Sequence, residues 1–183
     1  MLSQGVEQRR GDSYENRNLE RKPRKGNTTA LVNAFAEGAT QAGHEVEILH
    51  VSKMKIAGCL GCEYCHTKNQ GVCIQKDDMD KVMPAYLEAD MIVYASPIYY
   101  FAMTAQLFAA MQRVYAIGKP TKATKAALLL SSASPAPYEG SIATYKTAVG
   151  YMGVEDAGII TAAGDENASE TKLAEVRDFA RAL

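Results

Sequence analysis

A parallel β-sheet wound with helices on both faces is the architecture this chain predicts. Three observations carry the prediction. Helical and extended patterns alternate from Asn27 onward, the extended runs are short and mostly apolar, and each is followed by a stretch long enough for a helical crossover. Parallel neighbours need such crossovers because a two-residue hairpin cannot join them. In a doubly wound α/β sheet of this kind, ligands bind at the carboxyl ends of the strands, where loops lead into helix N-termini.

The elements follow in order. Thr28 or Thr29 is placed to cap a helix whose apolar face is Leu31, Ala34, Phe35, Gly38 and Ala39, with Gly43 just past its end. Residues 44–50 read as a strand. After a cysteine-rich loop, Asp77 or Asp78 opens a helix carrying Met79, Val82, Met83, Tyr86 and Leu87, and Pro84 inside it should bend it. Residues 91–95 form an apolar strand, and residues 102–117 a helix with Met103, Leu107, Ala110, Met111 and Val114 on one face. A second buried strand runs over 126–130. The last third adds a helix over 141–152, a strand over 157–162 and a closing helix over 169–183. The expected count is four strands and five helices in one domain.

Composition narrows what such a domain does. In 183 residues the formal net charge is -1, which gives no field to hold a polyanion, so nucleic acid is not an expected partner. The chain is 47% apolar, yet no apolar run approaches the ~20 residues that span a bilayer, so no membrane association is expected. Residues 1–26 lack the apolar stretch of a secretory signal, and the four cysteines are therefore expected to meet a reducing cytoplasm.

Those first 26 residues differ in kind from the rest. They carry seven basic and four acidic side chains, against 13 basic and 17 acidic in the remainder. Met1, Leu2, Val6, Tyr14 and Leu19 are their apolar residues, too scattered for either a helical or a strand period. Residues 1–22 thus read as an aberrant or disordered N-terminal segment, and 23–183 as the folded domain.

Two loops carry chemistry. Residues 23–29, Pro-Arg-Lys-Gly-Asn-Thr-Thr, run into the first helix with an arginine, hydroxyls and free backbone amides, which suits a phosphate cradle. A basic, glycine-containing turn is also an ordinary helix cap. The second loop, residues 96–101 (Ser-Pro-Ile-Tyr-Tyr-Phe), sets three aromatic residues at a strand's carboxyl end, where they can wall a flat heterocycle or close off the core.

With PRKGNTTALVNAFAEGA, the CLGCEYC and GVCIQKDDM block and SPIYYFAMTAQL in view, the chain from Pro23 onward resembles the flavodoxin-like NAD(P)H-dependent FMN reductases, and within them the iron-sulfur flavoproteins. The resemblance implies that Arg24, Asn27, Thr28 and Thr29 hold the FMN phosphate and that Ser96, Pro97, Ile98, Tyr99 and Tyr100 line the isoalloxazine. Ser131 and Ser132, with Ala133, would form a third FMN loop. It implies an FMN-dependent oxidoreductase that takes electrons from NAD(P)H or a carrier protein and delivers them to a quinone, a metal or another acceptor. It also implies a homodimer or homotetramer.

The departure from the family falls at the start. Relatives open with an apolar strand ending in Asn-Gly-Ser-Pro-Arg, whereas here Tyr14-Glu-Asn-Arg-Asn-Leu-Glu-Arg-Lys22 precedes Pro23. Codons exist for residues 14–23 that, read one base on, give Met-Lys-Ile-Val-Ile-Leu-Asn-Gly-Ser-Pro. The expectation is that residues 1–22 are a frameshifted reading of the first strand, which is missing from the chain as written. Such a chain should fold poorly or hold little cofactor, since several buried aliphatic side chains at about 1.5 to 3 kcal/mol each are forgone. The coding DNA tests this directly.

All four cysteines sit in one loop, as Cys59, Cys62, Cys65 and Cys73. Three thiolates at i, i+3 and i+6 with a fourth close behind meet the ligand demand of a [4Fe-4S] cluster. Zinc and free or redox-active thiols are the alternatives, although structural zinc more often uses two separated C-x2-C knuckles. His66 adjoins the set as ligand, proton donor or surface residue, and His44 and His50 read as structural. A non-enzymatic metal or redox sensor built on the cysteine loop is the second functional reading, and an inactive product of the frameshift the third.

Overall fold

The computed structural model describes residues 26–135 and 137–183, so the expectations for residues 1–22 and for Arg24 lie outside the described residues. Four strands form one sheet in the order β2-β1-β3-β4. They are β1 (Met91–Tyr99), β2 (Ala102–Met103), β3 (Lys125–Ser132) and β4 (Glu155–Ala163). β1, β3 and β4 are parallel, with Met91 opposite Lys125 and Lys125 opposite Glu155, and the two-residue β2 turns back antiparallel on Ile98 and Tyr99. β3 is buried from Ala126 to Ser132, as a central strand covered on both faces must be.

Helices cover both faces. α1 (Asn27–Gln41) and α6 (Glu170–Arg181) pack on one, burying Leu31, Phe35, Val176 and Ala180 against Leu129 and Ile160. α3 (Met79–Glu88), α4 (Ala105–Arg113) and α5 (Glu139–Met152) cover the other, around Val82, Tyr94, Leu128, Leu130 and Tyr145. Leu128 and Leu130 thus face one layer and Leu129 the other, as the strand period of two requires. α1 and α6 meet so closely that a Cβ on Gly38 would collide with the Arg177 carbonyl, which is why a glycine stands there.

The doubly wound α/β class stands, and several boundaries move. The expected strand over 44–50 does not form: these residues carry no ladder. A strand requires a hydrogen-bonded neighbour, and none of the described strands lies beside this segment. The expected helix over 102–117 begins at Ala105, because Ala102 and Met103 pair with β1 and Thr104 caps the helix by accepting the Leu107 amide. Its last turn, Val114–Ile117, is 3-10. α1 opens at Gly26 with no side-chain cap, so neither Thr28 nor Thr29 plays that part. α3 runs through Pro84 over its full length.

Candidate functional site

Parallel strands put their carboxyl ends on one rim, and the two chemistry-bearing loops meet there. Thr28, in the first turn of α1, places its Oγ1 2.5 Å from Ser131 Oγ at the end of β3. Ser131 is in turn the ladder partner of Pro97 in β1, so the residue that Thr28 touches lies about one strand spacing, roughly 4.8 Å, from the Ser96–Tyr100 turn. The first turn of α1 holds no acidic residue, and among the described residues no side chain caps its N-terminus, where the amides of Asn27, Thr28 and Thr29 are free of partners within the helix.

The aromatic turn is built from buried polar bonds beneath and exposed rings above. Ser96 is fully buried; its Oγ donates to the Pro97 carbonyl and accepts the Thr104 amide, tying the strand's end to the start of α4. Tyr100 and Phe101 both adopt positive φ, at 48° and 68°, a conformation that costs a non-glycine residue free energy and clusters at functional sites. Tyr99 and Tyr100 are 67% and 95% exposed, so they do not plug the core. Ile98 is half-buried above them.

The third loop is held from below. Ser132 Oγ sits 2.6 Å from the Tyr138 hydroxyl, which donates to the Ala162 carbonyl. The Ser132 carbonyl accepts from Asn167, whose amide also reaches the Gly164 carbonyl. Asn167 is buried, and its Oδ1 has no partner among the described residues. Sequence reading missed Tyr138 and Asn167; their polar side chains at the ends of a helix and a turn gave no periodic signal.

The cysteine loop lies along the outside of α4. Asp77 Oδ2 receives Arg113 at 2.6 Å, and Arg113 also donates to the carbonyls of Ala57 and Gln75. Arg113 is buried, and its bond network pins both ends of the loop to α4. Nothing in the sequence singled it out, because an arginine near a helix C-terminus reads as an exposed cation. Burial pushes Asp77 up, yet the Arg113 guanidinium and the amides of Ala57 and Met79 together hold its carboxyl below the usual range. Cys65 is buried in α2 (Tyr64–Thr67), and desolvation raises its thiol, with Cys73 close enough to add to the rise. His66 is exposed and hydrogen-bonds the Tyr115 carbonyl at 2.9 Å. Cys59 and Cys62 are exposed. Among the described residues no three His, Cys, Asp or Glu side chains converge as a metal site, so the four thiols share a loop without yet sharing a centre.

A doubly wound α/β domain with hydroxyls and exposed aromatic rings on its carboxyl rim is the class that the fold and the site define. The particular assignment comes from comparison: the family model of the NADPH-dependent FMN reductases matches residues 21–164, and the chain belongs to that family. Among curated proteins, an iron-sulfur flavoprotein of Archaeoglobus fulgidus is 37% identical over 125 residues, covering 67% of this chain and 50% of that protein. A second such flavoprotein, from Methanocaldococcus jannaschii, is 39% identical over 95 residues, or 52% of this chain and 48% of that one. The chain spans about half the length of the curated relatives it matches. Of solved structures, the NAD(P)H:quinone oxidoreductase from Methanothermobacter marburgensis superposes with a TM-score of 0.62 at 20% identity, covering 86% of this chain and 89% of that one. These likenesses place the chain with the flavodoxin-like fold, and the curated relatives it is similar to are iron-sulfur flavoproteins. Among the described residues no helix is long and apolar enough to cross a membrane.

Proposed function

We propose that the chain is an FMN-dependent oxidoreductase that accepts electrons from NAD(P)H or a carrier protein and passes them to a quinone, a metal or another acceptor. The observation that carries this reading is the junction at the rim, where Thr28 touches Ser131 and Ser131 pairs with Pro97. One phosphorylated, flat-ringed molecule can therefore reach both the start of α1 and the aromatic turn. The residues fit FMN. Asn27, Thr28 and Thr29 offer amides and hydroxyls to its phosphate, with the helix dipole favouring the negative charge. Asn167 holds the third loop by its bond to the Ser132 carbonyl, and its Oδ1 has no partner among the described residues. Tyr99 and Tyr100 present exposed rings to the isoalloxazine, and the strained turn fixes where they stand.

Bound FMN supplies the exchange of a hydride, or of two single electrons, that no side chain here can perform. The protein's own part is to orient the ring, keep one face open to the donor and set hydrogen bonds at its edge through Ser96–Ile98 backbone groups. The cysteine set fits an iron-sulfur centre by donor chemistry, since all four ligands are soft thiols within fifteen residues of one another. Cys59, Cys62, Cys65 and Cys73 would hold a [4Fe-4S] cluster, and such a cluster would supply one-electron transfer. Gathering them demands that the loop rearrange around the metal, which is the usual coupling of ligand assembly to binding.

The test is an anaerobic preparation of the chain carrying Met-Lys-Ile-Val-Ile-Leu-Asn-Gly-Ser in place of residues 14–22, assayed for flavin, iron and acid-labile sulfide, followed by oxidation of NADH and NADPH with a quinone acceptor. One FMN per chain with pyridine nucleotide oxidation supports the reading. A colourless protein carrying zinc supports the sensor instead.

A further inference from the structure

The four cysteines lie inside a clamp whose centre is Arg113, at the end of α4. Its Nη1 donates to the Ala57 carbonyl at 3.1 Å and to Asp77 Oδ2 at 2.6 Å, and its Nη2 to the Gln75 carbonyl at 3.4 Å. Ala57 stands two positions before Cys59 and Gln75 two positions after Cys73, so one guanidinium joins the chain where it enters and where it leaves the cysteine segment. Further ties run alongside: Gln75 Nε2 donates to the Gly58 carbonyl at 3.0 Å, and the Ala57 amide to Asp77 Oδ2 at 3.1 Å. Gly58 rests so closely on α4 that a Cβ there would stand 3.1 Å from Gln112 Oε1.

The clamp leaves part of the arginine over. A guanidinium carries five N–H donors in a fixed fork, and the three bonds above engage three of them. Arg113 is buried, so bulk solvent does not reach the rest, and its Nε has no hydrogen-bond partner among the described residues. A buried cation with donors to spare is costly unless an acceptor comes to it. Cys73 is such an acceptor: its sulfur lies close enough to act on the guanidinium both as a charge and as a hydrogen-bond partner. At the other end of the segment the Gly61 amide already donates to Cys59 Sγ at 3.4 Å, from a residue held at φ 64° in the left-handed region. Both outer sulfurs therefore have an N–H group at hand, a backbone amide for Cys59 and a buried cation for Cys73. Net charge and hydrogen bonds to sulfur are among the quantities that set the potential of an iron-sulfur centre.

We infer that Arg113 is a positioning residue of the cysteine centre: it holds Cys73 in register with Cys59 and sets a buried positive charge against the Cys73 sulfur, which raises the reduction potential of a cluster bound there. The inference rests on the reading of Cys59, Cys62, Cys65 and Cys73 as cluster ligands and adds to it a residue outside the ligand set. Reduction brings one electron, and so one negative charge, to the centre, and a fixed cation beside it favours that state. Asp77, bonded to the same guanidinium, carries the opposite charge. Removing either member loosens the same clamp, yet the two removals change the charge near Cys73 in opposite senses. Electrostatic and merely structural roles are thereby separable.

The test is a reductive titration with dithionite, followed by EPR of the reduced cluster, in the anaerobic preparation used for the flavin and iron assays, with iron and sulfide counted first. Arg113→Met is expected to lower the potential by about tenfold in the one-electron equilibrium constant, which is about 59 mV. Asp77→Asn is expected to raise it, by about threefold or more in the same constant. Arg113→Lys keeps the cation without the fork, and should hold the constant within about threefold of the parent while the Ala57 amide exchanges faster. Shifts of Arg113→Met and Asp77→Asn in the same direction would make the clamp structural only and overturn the inference, as would a potential that Arg113→Met leaves unmoved. If Arg113→Met assembles no cluster, Asp77→Asn decides: a rise supports the inference, and a fall or no change overturns it. A parent that takes up no iron and sulfide removes the cluster reading and the inference with it, whereas a loaded parent whose potential ignores both substitutions removes the inference alone.

Discussion

Replacing Arg113 by methionine should free the cysteine loop from α4. The arginine is buried and donates to Asp77, to the Ala57 carbonyl and to the Gln75 carbonyl, so one side chain closes a loop of about twenty residues. Methionine keeps most of the buried volume but leaves the Asp77 carboxylate facing only the amides of Ala57 and Met79. Breaking a buried pair from one side costs about 3 to 5 kcal/mol, and since those two amides remain, about 3 kcal/mol is the figure here. If that cost appears as local opening, it corresponds to roughly a hundredfold faster exchange at the loop's anchored amides. The assay is hydrogen exchange at the Ala57 and Met79 amides, with tryptic cleavage after Lys68 and Lys76 as a second readout. The pH dependence is a sharper check. Asp77 is held below the ordinary carboxylate range, so its contribution is present above the unfolded value near 3.8 and is lost as pH falls through the lower folded value. In the Arg113→Met chain desolvation remains and the largest opposing bond is gone, so loop release on acidification must begin at a higher pH than in the parent. Exchange within threefold of the parent, or an acid transition that does not move upward, would refute the account of Arg113 as the loop's anchor. Adding Asp77→Asn to Arg113→Met should recover part of the loss, because the unpaired charge is then removed.

Three further outcomes follow from the same structure. Gly38→Ala should cost about 1 to 3 kcal/mol by forcing α1 away from the Arg177 carbonyl, read as a lowered urea midpoint against the parent. Tyr86, Tyr94 and Tyr145 are raised above the ordinary phenol value by burial, with Tyr145 also beside the Asp156 carboxylate. Their stabilisation is complete below about pH 10 and declines as pH rises toward the folded values, so alkaline absorbance titration should show a tyrosine fraction that ionises only with unfolding. Thr28→Val keeps the shape of the α1 turn and removes a hydroxyl from the rim, and should weaken FMN binding about tenfold while leaving the unfolding midpoint within about 1 kcal/mol of the parent.

The sheet was legible where burial alone decides it. Residues 91–95 and 126–130 are apolar on both faces, and a segment covered by helices on two sides has no other composition open to it. Residues 44–50 carry the same signal more faintly, yet form no strand among the described elements, since a ladder is a property of two segments and a sequence shows one at a time. At the rim, Ser96, Ser131 and the tyrosines announced themselves because their loops follow strand ends, and Thr28 because a basic, glycine-containing turn leads into its helix. Arg113 and Asn167 did not, because burial of a polar side chain depends on partners far along the chain: Asp77 lies 36 positions from Arg113, and Ser132 lies 35 from Asn167.

The rim is tied to the core through α1. Its first turn meets Ser131 at the carboxyl rim, and its buried face, from Leu31 to Ala39, lies over Leu129. Along that length α1 packs on α6, where Gly38 admits the Arg177 carbonyl. Phosphate binding at the first turn and the seating of α1 should therefore be coupled, since each favours the same placement of the helix. Comparing FMN affinity in the parent and in Gly38→Ala measures that coupling, and equal affinities would separate the rim from the helix contact.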